Sequence, residues 1–318
     1  MVAPLAFEET FISLDQRLKD LRQTAEENDL GLQKEIKRLE AKSIEILRKA
    51  YEHLSPLDIV KIARYPERPH SSDYIEHLIQ DFFPLAGDRT FGEDQAIVGG
   101  LGRFRGMPVM VLSQEKGKDT DERIRRNFGM PRPEGYRKAE RLMRMAAQFN
   151  LPVLSFVDTA GAHPGVDAEE RGQNQAIASC IETGLNLPVP FIATIIGEGG
   201  SGGAVALASA NVVLMLQYAI YSVIAPESCA AILWRTSEKA DLAAKALKFT
   251  APDLKRLKVI DDIIPEPPGA AHRNALSVIH DTGDAIEKNL KRLLKDKETL
   301  REQRFKRFED IGRQGLRL

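Results

Sequence analysis

Apolar residues near the start of the chain recur three and four positions apart, the spacing of one face of an α-helix. The pattern covers residues 11–25 and returns over residues 36–50, and Asn28-Asp29-Leu30-Gly31 interrupts it. We therefore predict a helical hairpin, in which two helices are joined by a short loop. Its apolar face is narrow, so the hairpin can pack either on its own chain or on another subunit.

The centre of the chain alternates short apolar runs with amphipathic stretches. Strands are predicted over residues 96–104, 107–113, 151–157, 189–196, 211–216 and 219–224, and helices from Gly135, over residues 168–184 and from residue 203. A turn at Arg105-Gly106 joins the first two strands. This alternation predicts an α/β fold with a mainly parallel sheet and a ligand site at the carboxyl edge of its strands.

The flanking regions carry weaker patterns. Four prolines in residues 55–90 predict an irregular connector. A helical stretch follows Pro226, and residues 283–310 predict one long charged helix that forms a tail or an interface. The predicted parts are an N-terminal hairpin and connector (1–86), a central domain (87–275) and a C-terminal helical tail (276–318).

The composition is that of an ordinary globular protein. The 318 residues are 43% hydrophobic and 29% charged, and the net charge is −1. No overall field therefore attracts nucleic acid or an anionic membrane. No apolar run approaches the roughly 20 residues that span a bilayer. The N-terminus becomes acidic at Glu8-Glu9, too early for a targeting peptide, so we expect a cytoplasmic protein.

The chain contains two cysteines, Cys180 and Cys229. Both lie in apolar runs, which favours buried and reduced thiols. Two cysteines cannot build a four-cysteine zinc site, so no metal site is predicted in this chain.

The most informative motif is the glycine-rich segment Gly197–Gly203, which contains five glycines with Glu198 and Ser201. It follows a predicted buried strand and leads into a predicted helix. Glycine allows sharp turns and close approach of a ligand to the backbone. The first turn of a helix offers free N–H groups and the positive end of the helix dipole. Together these features predict a site for a phosphate, a carboxylate or an oxyanion.

Two nucleotide-binding patterns fit this segment poorly. Gly197, Gly199 and Gly202 satisfy G-x-G-x-x-G, but the dinucleotide motif expects an acidic residue about 20 positions further on. No carboxylate occurs there before Glu227. A P-loop is excluded because no lysine follows Gly202.

Three other interpretations remain open. Gly199, Ser201 and Gly203 match the G-x-S-x-G nucleophile elbow of hydrolases. Asp261 or Asp262, followed by His272, would complete its Ser, Asp, His order. Alternatively, backbone amides near Gly202 and Gly203 stabilise an enolate-like oxygen without any side chain. The segment can also be a tight strand-to-helix turn with no chemistry.

A second loop, Asp158–Gly165, follows the strand predicted over residues 151–157. In a parallel sheet it lies at the same edge as the glycine-rich segment. A basic segment precedes both, with Lys116, Lys118, Arg123, Arg125, Arg126, Arg132, Arg137 and Lys138. These cations can bind phosphate or carboxylate groups, or form a solvated face.

Several longer motifs, in order along the chain, resemble one known family. They are residues 126–131, 133–139, 158–159, 161–162, 164–165, 169–173, 197–203, 217–218, 228–229, 232–234 and 264–267. Together they resemble the α subunit of bacterial-type acetyl-coenzyme A carboxylase carboxyltransferase. The resemblance runs from the N-terminal helices to about residue 275, whereas the C-terminal helix is less diagnostic.

The resemblance implies a crotonase-like fold of stacked β-β-α units. It implies transfer of a carboxyl group from carboxybiotin to acetyl-coenzyme A, giving malonyl-coenzyme A, the first committed step of fatty acid synthesis. By similarity, the amides of Gly202 and Gly203 form the oxyanion hole for the ureido oxygen of biotin. The further substrate-binding residues implied are Gly161, Ala162, Gly199, Gly200, Ser201, Arg126 and Arg137.

The resemblance also implies partners. A β subunit with a zinc ribbon forms an α2β2 heterotetramer with the α chain, and the active sites lie between the two. A separate biotin carboxyl carrier protein delivers carboxybiotin, and biotin carboxylase acts upstream. The chain departs from the usual family pattern at Ala160, where proline is common, and at His163, where an aromatic residue is common.

Three alternatives belong to other functional classes. The hydrolase with a Ser201 nucleophile is one, and it lacks the upstream His-Gly-Gly loop of that fold. A stand-alone crotonase-like acyl-coenzyme A hydratase or isomerase is another, with Glu198 or Glu227 as its base unless these carboxylates form structural ion pairs. A non-enzymatic scaffold would use the helical hairpin and the tail.

Overall fold

The computed structural model describes residues 5–24, 30–295 and 299–315. The predicted hairpin is present as α1 (Glu9–Thr24) and α2 (Leu30–Glu52). The predicted interruption is shorter than expected, because Leu30 and Gly31 already belong to α2; Ala25, Asn28 and Asp29 lie outside the described residues.

One end of the hairpin packs on its own chain. Phe11, Leu47 and Tyr51 form a buried cluster with Tyr218 and Ala270 from the central part of the chain. The rings of Tyr51 and Tyr218 meet edge to face, with centroids 5.3 Å apart. This end of the apolar face is therefore occupied within the chain.

A single sheet organises the molecule. Its eight strands are β1 (Ile79–Pro84), β2 (Ile97–Phe104), β3 (Met107–Gln114), β4 (Val153–Thr159), β5 (Phe191–Gly200), β6 (Val212–Leu216), β7 (Ile220–Ser222) and β8 (Asp262–Ile264). Their order is β1-β2-β3-β4-β5-β6-β8, and β7 pairs with the end of β5. Strands β1 to β3 are antiparallel and every later pairing of these strands is parallel. The β2–β3 hairpin and the mainly parallel sheet are as predicted, whereas β1 was not predicted.

The turn between β2 and β3 has positive φ at both central residues, 48° at Arg105 and 82° at Gly106. That geometry matches the twist of a two-residue hairpin. Every residue of β4 and of β6 is buried, as are nine of the ten positions of β5. The core therefore lies around these central strands.

The remaining helices cover the sheet and its edges. They are α3 (Pro56–Ala63), α4 (Ser71–Leu78), α5 (Thr120–Arg125), α6 (Pro133–Gln148), α7 (Val166–Glu170), α8 (Gln173–Asn186), α9 (Ser201–Ala208), α10 (Pro226–Trp234), α11 (Ala240–Leu247), α12 (Ala251–Arg256), α13 (Ala275–Leu293) and α14 (Leu300–Gly315). No helix among the described residues is long and apolar enough to cross a membrane.

The prediction of an irregular connector over residues 55–90 is wrong, because this region contains α3, α4 and β1. Pro56 begins α3 rather than interrupting a helix, since proline is well tolerated in the first helical turn. Ser55 and Asp58 cap the same turn reciprocally. Strand β1 then pairs with β2. The three-part division of the chain stays a prediction.

Two predicted helices are each divided in the structure. The helix over residues 168–184 is interrupted at Gly172, whose φ of +82° is left-handed and ends the α7 geometry. The long helix over residues 283–310 is two helices, α13 and α14. Leu293 ends α13 and Leu300 begins α14, and both are buried in the hydrophobic core that contains the sheet. The break between the two helices allows both side chains to reach that core.

Arg304 anchors α14 to the body of the protein. Its guanidinium is fully buried and donates to the carbonyl oxygens of Gly184, Leu187 and Val189 at 2.8–3.1 Å, as well as to Asn211. Burial without a carboxylate partner lowers the pKa of Arg304 to about 10. The last described helix is thus fixed to the segment that leads into β5.

Candidate functional site

Strand β5 passes directly into helix α9 without an intervening turn. Gly197 to Gly200 belong to the strand, and Ser201 is already the first residue of the helix. Ser201 has a φ of 53°, a left-handed conformation that is costly for a residue with a Cβ. The chain therefore reverses direction within a single residue, and the first turn of α9 lies at the carboxyl edge of the sheet.

The glycines allow the Asp158–Gly165 loop to contact this junction. A methyl group on Gly200 would lie 2.1 Å from the carbonyl oxygen of Ala160. On Gly203 it would lie 2.7 Å from the Ala162 nitrogen and 2.8 Å from the Tyr136 hydroxyl. Such distances are far below van der Waals contact, so a side chain at either position would displace the loop. The prediction that both glycine-rich loops meet at one edge is confirmed.

The first turn of α9 has the chemistry of an anion site. The N–H groups of Ser201, Gly202 and Gly203 have no partner within the helix, and the positive end of the helix dipole lies beside them. A cavity of about 240 Å³ adjoins this turn. Its lining residues are Ser201, Gly202, Val205, Tyr221, Ser222, Val223 and Val259. We call it the Ser201 cavity; it is mainly apolar, with the glycine backbone at one side.

A second cavity of about 310 Å³ is lined in part by Asp158 and Ala160 of the Asp158–Gly165 loop. Its lining residues are Ala63, Arg64, Tyr65, Pro66, Arg68, His70, Lys116, Arg123, Phe128, Asp158, Ala160 and Glu198. We call it the Arg64 cavity. Arg64, Arg68 and His70 come from the connection between α3 and α4, and Lys116 comes from the segment after β3, whereas the carboxylates come from the ends of β4 and β5.

A network of ion pairs forms the wall of the Arg64 cavity. Lys116 Nζ lies 2.7 Å from Asp158 and 2.8 Å from Glu198. Arg64 binds Glu198 at 2.6 Å and Glu227 at 2.8 Å. Burial alone would raise the pKa of Glu198, but the charges of Lys116 and Arg64 outweigh it and hold the pKa at about 2. Glu198 and Glu227 therefore form structural ion pairs, which does not favour a hydratase base.

A buried ion pair supports the end of β5 from behind. Arg68 donates to both carboxylate oxygens of Glu266, at 2.7 and 2.9 Å, and to the carbonyl oxygen of Ile196 at 2.8 Å. The Tyr218 amide donates to the same carboxylate at 2.8 Å. Bidentate pairs of this kind fix geometry as well as charge. They tie the α3–α4 connection to the strand that presents the glycine-rich segment.

None of the residues that line the Arg64 cavity was predicted as a site residue from the family resemblance, and two of them, Arg123 and Phe128, are not held by ion pairs of the network. Arg123 donates to the carbonyl oxygen of Gly117 at 3.2 Å and has no ion pair among the described residues. Phe128 is exposed and has a φ of 56°, and the preceding Asn127 has 48°. Two consecutive left-handed residues without glycine mark a strained loop. That strain, invisible in the sequence, places the ring beside the cavity.

The structure places the predicted arginines elsewhere. Arg126 ends α5 and donates to the carbonyl oxygen of Gln95 at 3.0 Å. Arg137 lies on α6 and binds Asp88 at 2.7 Å. Neither lines the two cavities described above.

The predicted backbone positions do come together at the junction. Gly161 has a φ of +147°, and Ala162 follows it against Gly203. A methyl group on Gly199 would lie 2.7 Å from the Tyr221 ring, so Gly199 keeps β5 close to β7. Their roles toward a ligand stay predictions.

Ala160 and His163, the two positions of the Asp158–Gly165 loop that depart from the usual family pattern, have different surroundings. Ala160 lines the Arg64 cavity. His163 Nε2 lies 3.4 Å from Asp167, and its backbone N–H donates to the carbonyl oxygen of Pro131 at 3.0 Å. His163 is thus held by contacts with α7 and with the segment that precedes α6.

A hydrolase triad is not assembled. Ser201 does have the left-handed φ of a nucleophile elbow. His272, however, is buried against Glu8 at 3.6 Å and stacks on the Tyr65 ring with centroids 4.6 Å apart. Asp261 binds the Val213 amide at 2.7 Å and the guanidinium of Arg307. Neither group lines the Ser201 cavity.

The cysteines form no disulfide; Cys180 is buried, as predicted, whereas Cys229 is only half-buried. Within the described parts of the chain, no three His, Cys, Asp or Glu side chains are grouped to hold a metal ion. The expectation that this chain holds no metal stays a prediction.

Comparison with known proteins identifies the family. The family described as acetyl co-enzyme A carboxylase carboxyltransferase-like matches residues 4–312. A protein of Rhodospirillum centenum is 55% identical over 313 residues, which cover 98% of this chain and 99% of the relative. A protein of Methylobacterium nodulans is 55% identical over 311 residues, covering 97% and 98%. Both are named acetyl-coenzyme A carboxylase carboxyl transferase subunit alpha.

Solved structures share the fold at low sequence identity. The transcarboxylase 12S core has a TM-score of 0.55 at 20% identity, over 67% of this chain and 41% of that longer chain. A Pseudomonas malonate decarboxylase hetero-tetramer, solved with coenzyme A, has a TM-score of 0.55 at 16% identity, over 64% of this chain and 82% of that one. The predicted α/β fold of the crotonase type is confirmed by these likenesses. With a family match along nearly its whole length and relatives above half identity, this chain belongs to the acetyl-coenzyme A carboxylase carboxyltransferase family and is similar to its α subunits.

Proposed function

We propose that this chain is the α subunit of a cytoplasmic acetyl-coenzyme A carboxylase carboxyltransferase. It takes part in the transfer of a carboxyl group from carboxybiotin, carried on a separate protein, to acetyl-coenzyme A, which yields malonyl-coenzyme A. The observation that carries the proposal is the β5–α9 junction. There, Gly202 and Gly203 lie in the first turn of α9, and Gly203 packs against Gly161 and Ala162, in a chain of this family.

The Ser201 cavity suits the ring system of biotin. Val205, Val223 and Val259 offer apolar contacts for its hydrocarbon part. The first turn of α9 offers N–H donors for its single ureido oxygen. Carboxybiotin supplies the carboxyl group, and its ureido oxygen gains negative charge as that group leaves.

The amides of Gly202 and Gly203 stabilise this developing charge. They are backbone donors at the positive end of a helix dipole, and they need no reorganisation when charge appears. The close approach of Ala162 to Gly203 keeps the first turn of α9 in place. Removal of one such donor typically lowers a rate by about 100- to 1,000-fold.

The acyl-coenzyme A half of the reaction belongs to a second subunit. The candidate carboxylates near the junction, Glu198 and Glu227, are held in ion pairs, so proton removal from the acetyl group is assigned to biotin itself. A β subunit that carries a zinc ribbon would contribute the second oxyanion hole, in an α2β2 assembly. A biotin carboxyl carrier protein would deliver the carboxybiotin formed by biotin carboxylase.

The test is the reverse reaction, malonyl-coenzyme A-dependent carboxylation of free biotin. It is measured with this chain alone, with the β chain alone and with both. Activity only in the mixture supports a site shared between two chains. An inactive mixture in which complex formation has been confirmed would reject the proposal.

Ser201→Ala in the same mixture separates this mechanism from a hydrolase. The substitution removes the hydroxyl and keeps the backbone amide. We expect less than about a ten-fold loss, since the donors that stabilise the oxyanion are retained. Abolished activity in a folded, assembled complex would instead assign Ser201 a chemical role.

A further inference from the structure

Exposed and mostly apolar side chains occupy the C-terminal half of α10 and Val223 before it, whereas Glu227 in the first turn of α10 is paired with Arg64. The exposed residues between position 223 and the end of α10 at position 234 are Val223, Ser228, Ala231, Ile232, Leu233 and Trp234. We call this set the α10 strip. Val223 is 75% exposed, Ile232 71% and Leu233 62%. Exposed Leu and Ile side chains are individually common, but several exposed apolar residues close together, here Ile232, Leu233 and Trp234, are typical of an interaction surface.

The strip begins at the candidate reaction site. Val223 lines the Ser201 cavity together with Gly202. Strand β7, which immediately precedes Val223, pairs with Glu198, Gly199 and Gly200 of β5. A partner that covers the strip would therefore also cover the open side of the cavity next to the helix amides.

Resting on the proposed function, we propose that the α10 strip is the docking surface for the second carboxyltransferase subunit. The face that this partner presents is apolar and uncharged at its centre. Interface cores are depleted of charged residues and enriched in aromatic anchors. Trp234 supplies such an aromatic residue at one end of the strip. Exposed Arg235, Glu238 and Lys239 follow the strip and supply a polar rim.

Continuity with the Ser201 cavity selects the second subunit over another copy of this chain. A two-fold contact between copies would bring the same strip against itself and would place two identical half-sites together. Two biotin-binding halves do not complete a reaction that needs an acyl-coenzyme A half. The second subunit supplies the missing half at the place where the strip begins.

The test uses the full chain and its β partner. Ile232→Asp and Leu233→Asp place a charge at the exposed centre of the strip, where folding does not require an apolar side chain. Phe149→Asp is the matched control: Phe149 is 63% exposed but follows α6 at the opposite, amino edge of β4. Circular dichroism and the melting temperature of each isolated chain verify that all three variants fold.

The affinity of each variant for the β chain is then measured by biolayer interferometry, and its mass by light scattering. We expect the strip variants to bind at least about ten-fold more weakly, as for truncation of an interface hot spot, with Phe149→Asp unchanged. Wild-type affinity in both strip variants would overturn the inference. A change in the self-association of this chain, with its affinity for the β chain unchanged, would also overturn the inference. If the wild-type complex forms through the strip but transfers no carboxyl group, the proposed function fails while the docking surface stands.

Discussion

Gly203 lies so close to Ala162 that a methyl group added at its Cα would lie 2.7 Å from the Ala162 nitrogen. Its neighbour Gly202 differs: a methyl group there would lie 3.6 Å from the Ile177 side chain, an ordinary contact. Two adjacent glycines in one helical turn thus differ in whether the surrounding atoms leave space for a side chain. Gly203 is enclosed by the Gly161-Ala162 backbone and by the Tyr136 hydroxyl of α6, whereas Gly202 has room for a small side chain.

The buried guanidinium of Arg304 should be essential for stability. Arg304→Met leaves the carbonyl oxygens of Gly184, Leu187 and Val189 without their donor. Because unsatisfied buried acceptors are costly, we expect the free energy of unfolding to fall by at least about 2 kcal/mol. Urea denaturation measures the loss.

The matched control for Arg304 is Arg301→Met, an exposed position on the same helix. It should change the free energy of unfolding by less than about 0.5 kcal/mol. Equal losses in the two variants would show that the carbonyl contacts of Arg304 contribute nothing specific.

Lys116 should stabilise the two carboxylates at the strand ends. Lys116→Met leaves Asp158 without its cation and Glu198 with Arg64 alone. Removal of one partner from a buried pair typically costs about 3 to 5 kcal/mol, because the remaining charge is uncompensated. Chemical denaturation at pH 7 tests this expectation.

Lys118→Met is the control for Lys116, because Lys118 pairs with Asp73 at 2.5 Å on the surface. Exposed pairs contribute at most about 1 kcal/mol. If Lys116→Met were no more destabilising than Lys118→Met, the network around Asp158 would not be a stabilising element.

Glu115 should make stability depend on pH in the acid range. Burial would raise its pKa, but the imidazole of His70 at 3.4 Å and the hydrogen bonds from the Gly117 and Ser72 amides lower it to about 2. A carboxylate whose pKa is lowered on folding stabilises the protein above its unfolded pKa of 4.5 and loses that contribution as pH falls toward 2. The shift corresponds to about 3 kcal/mol.

The measurement compares wild type with Glu115→Gln in urea between pH 6 and pH 3. The difference in unfolding free energy should be largest at pH 6 and should shrink as the pH falls. Glu302→Gln, on the exposed face of α14, should follow wild type at every pH. A difference between wild type and Glu115→Gln that does not change with pH would contradict the assignment.

The sequence predicts the parts of the site that depend on local pattern. The glycine-rich segment, its strand and the loop after β4 each have a local signature, and the rule for parallel sheets places both loops at one edge. The Arg64 cavity has no such signature. Arg64 and Glu198 are 134 positions apart, and only the folded chain brings them together.

Proline explains the largest error in the predicted elements. The same residue that interrupts a helix is well tolerated in its first turn, and Pro56 occupies that position in α3. The segment that supplies Arg64 and Arg68 therefore appeared irregular. In the basic segment, charge alone could not separate Arg123, which lines a cavity, from Arg137, which pairs with Asp88.

The most direct test of backbone catalysis compares Gly203→Ala with Gly202→Ala in the assembled two-subunit complex. Turnover of malonyl-coenzyme A with free biotin is measured after folding and assembly of both variants have been verified. We expect Gly203→Ala to lose about 100-fold or more in kcat, since its methyl group would clash with the Ala162 nitrogen and displace the first turn of α9 with its N–H donors, and Gly202→Ala to lose less than about ten-fold. Near wild-type turnover in Gly203→Ala would contradict the assignment of the reaction to these backbone amides.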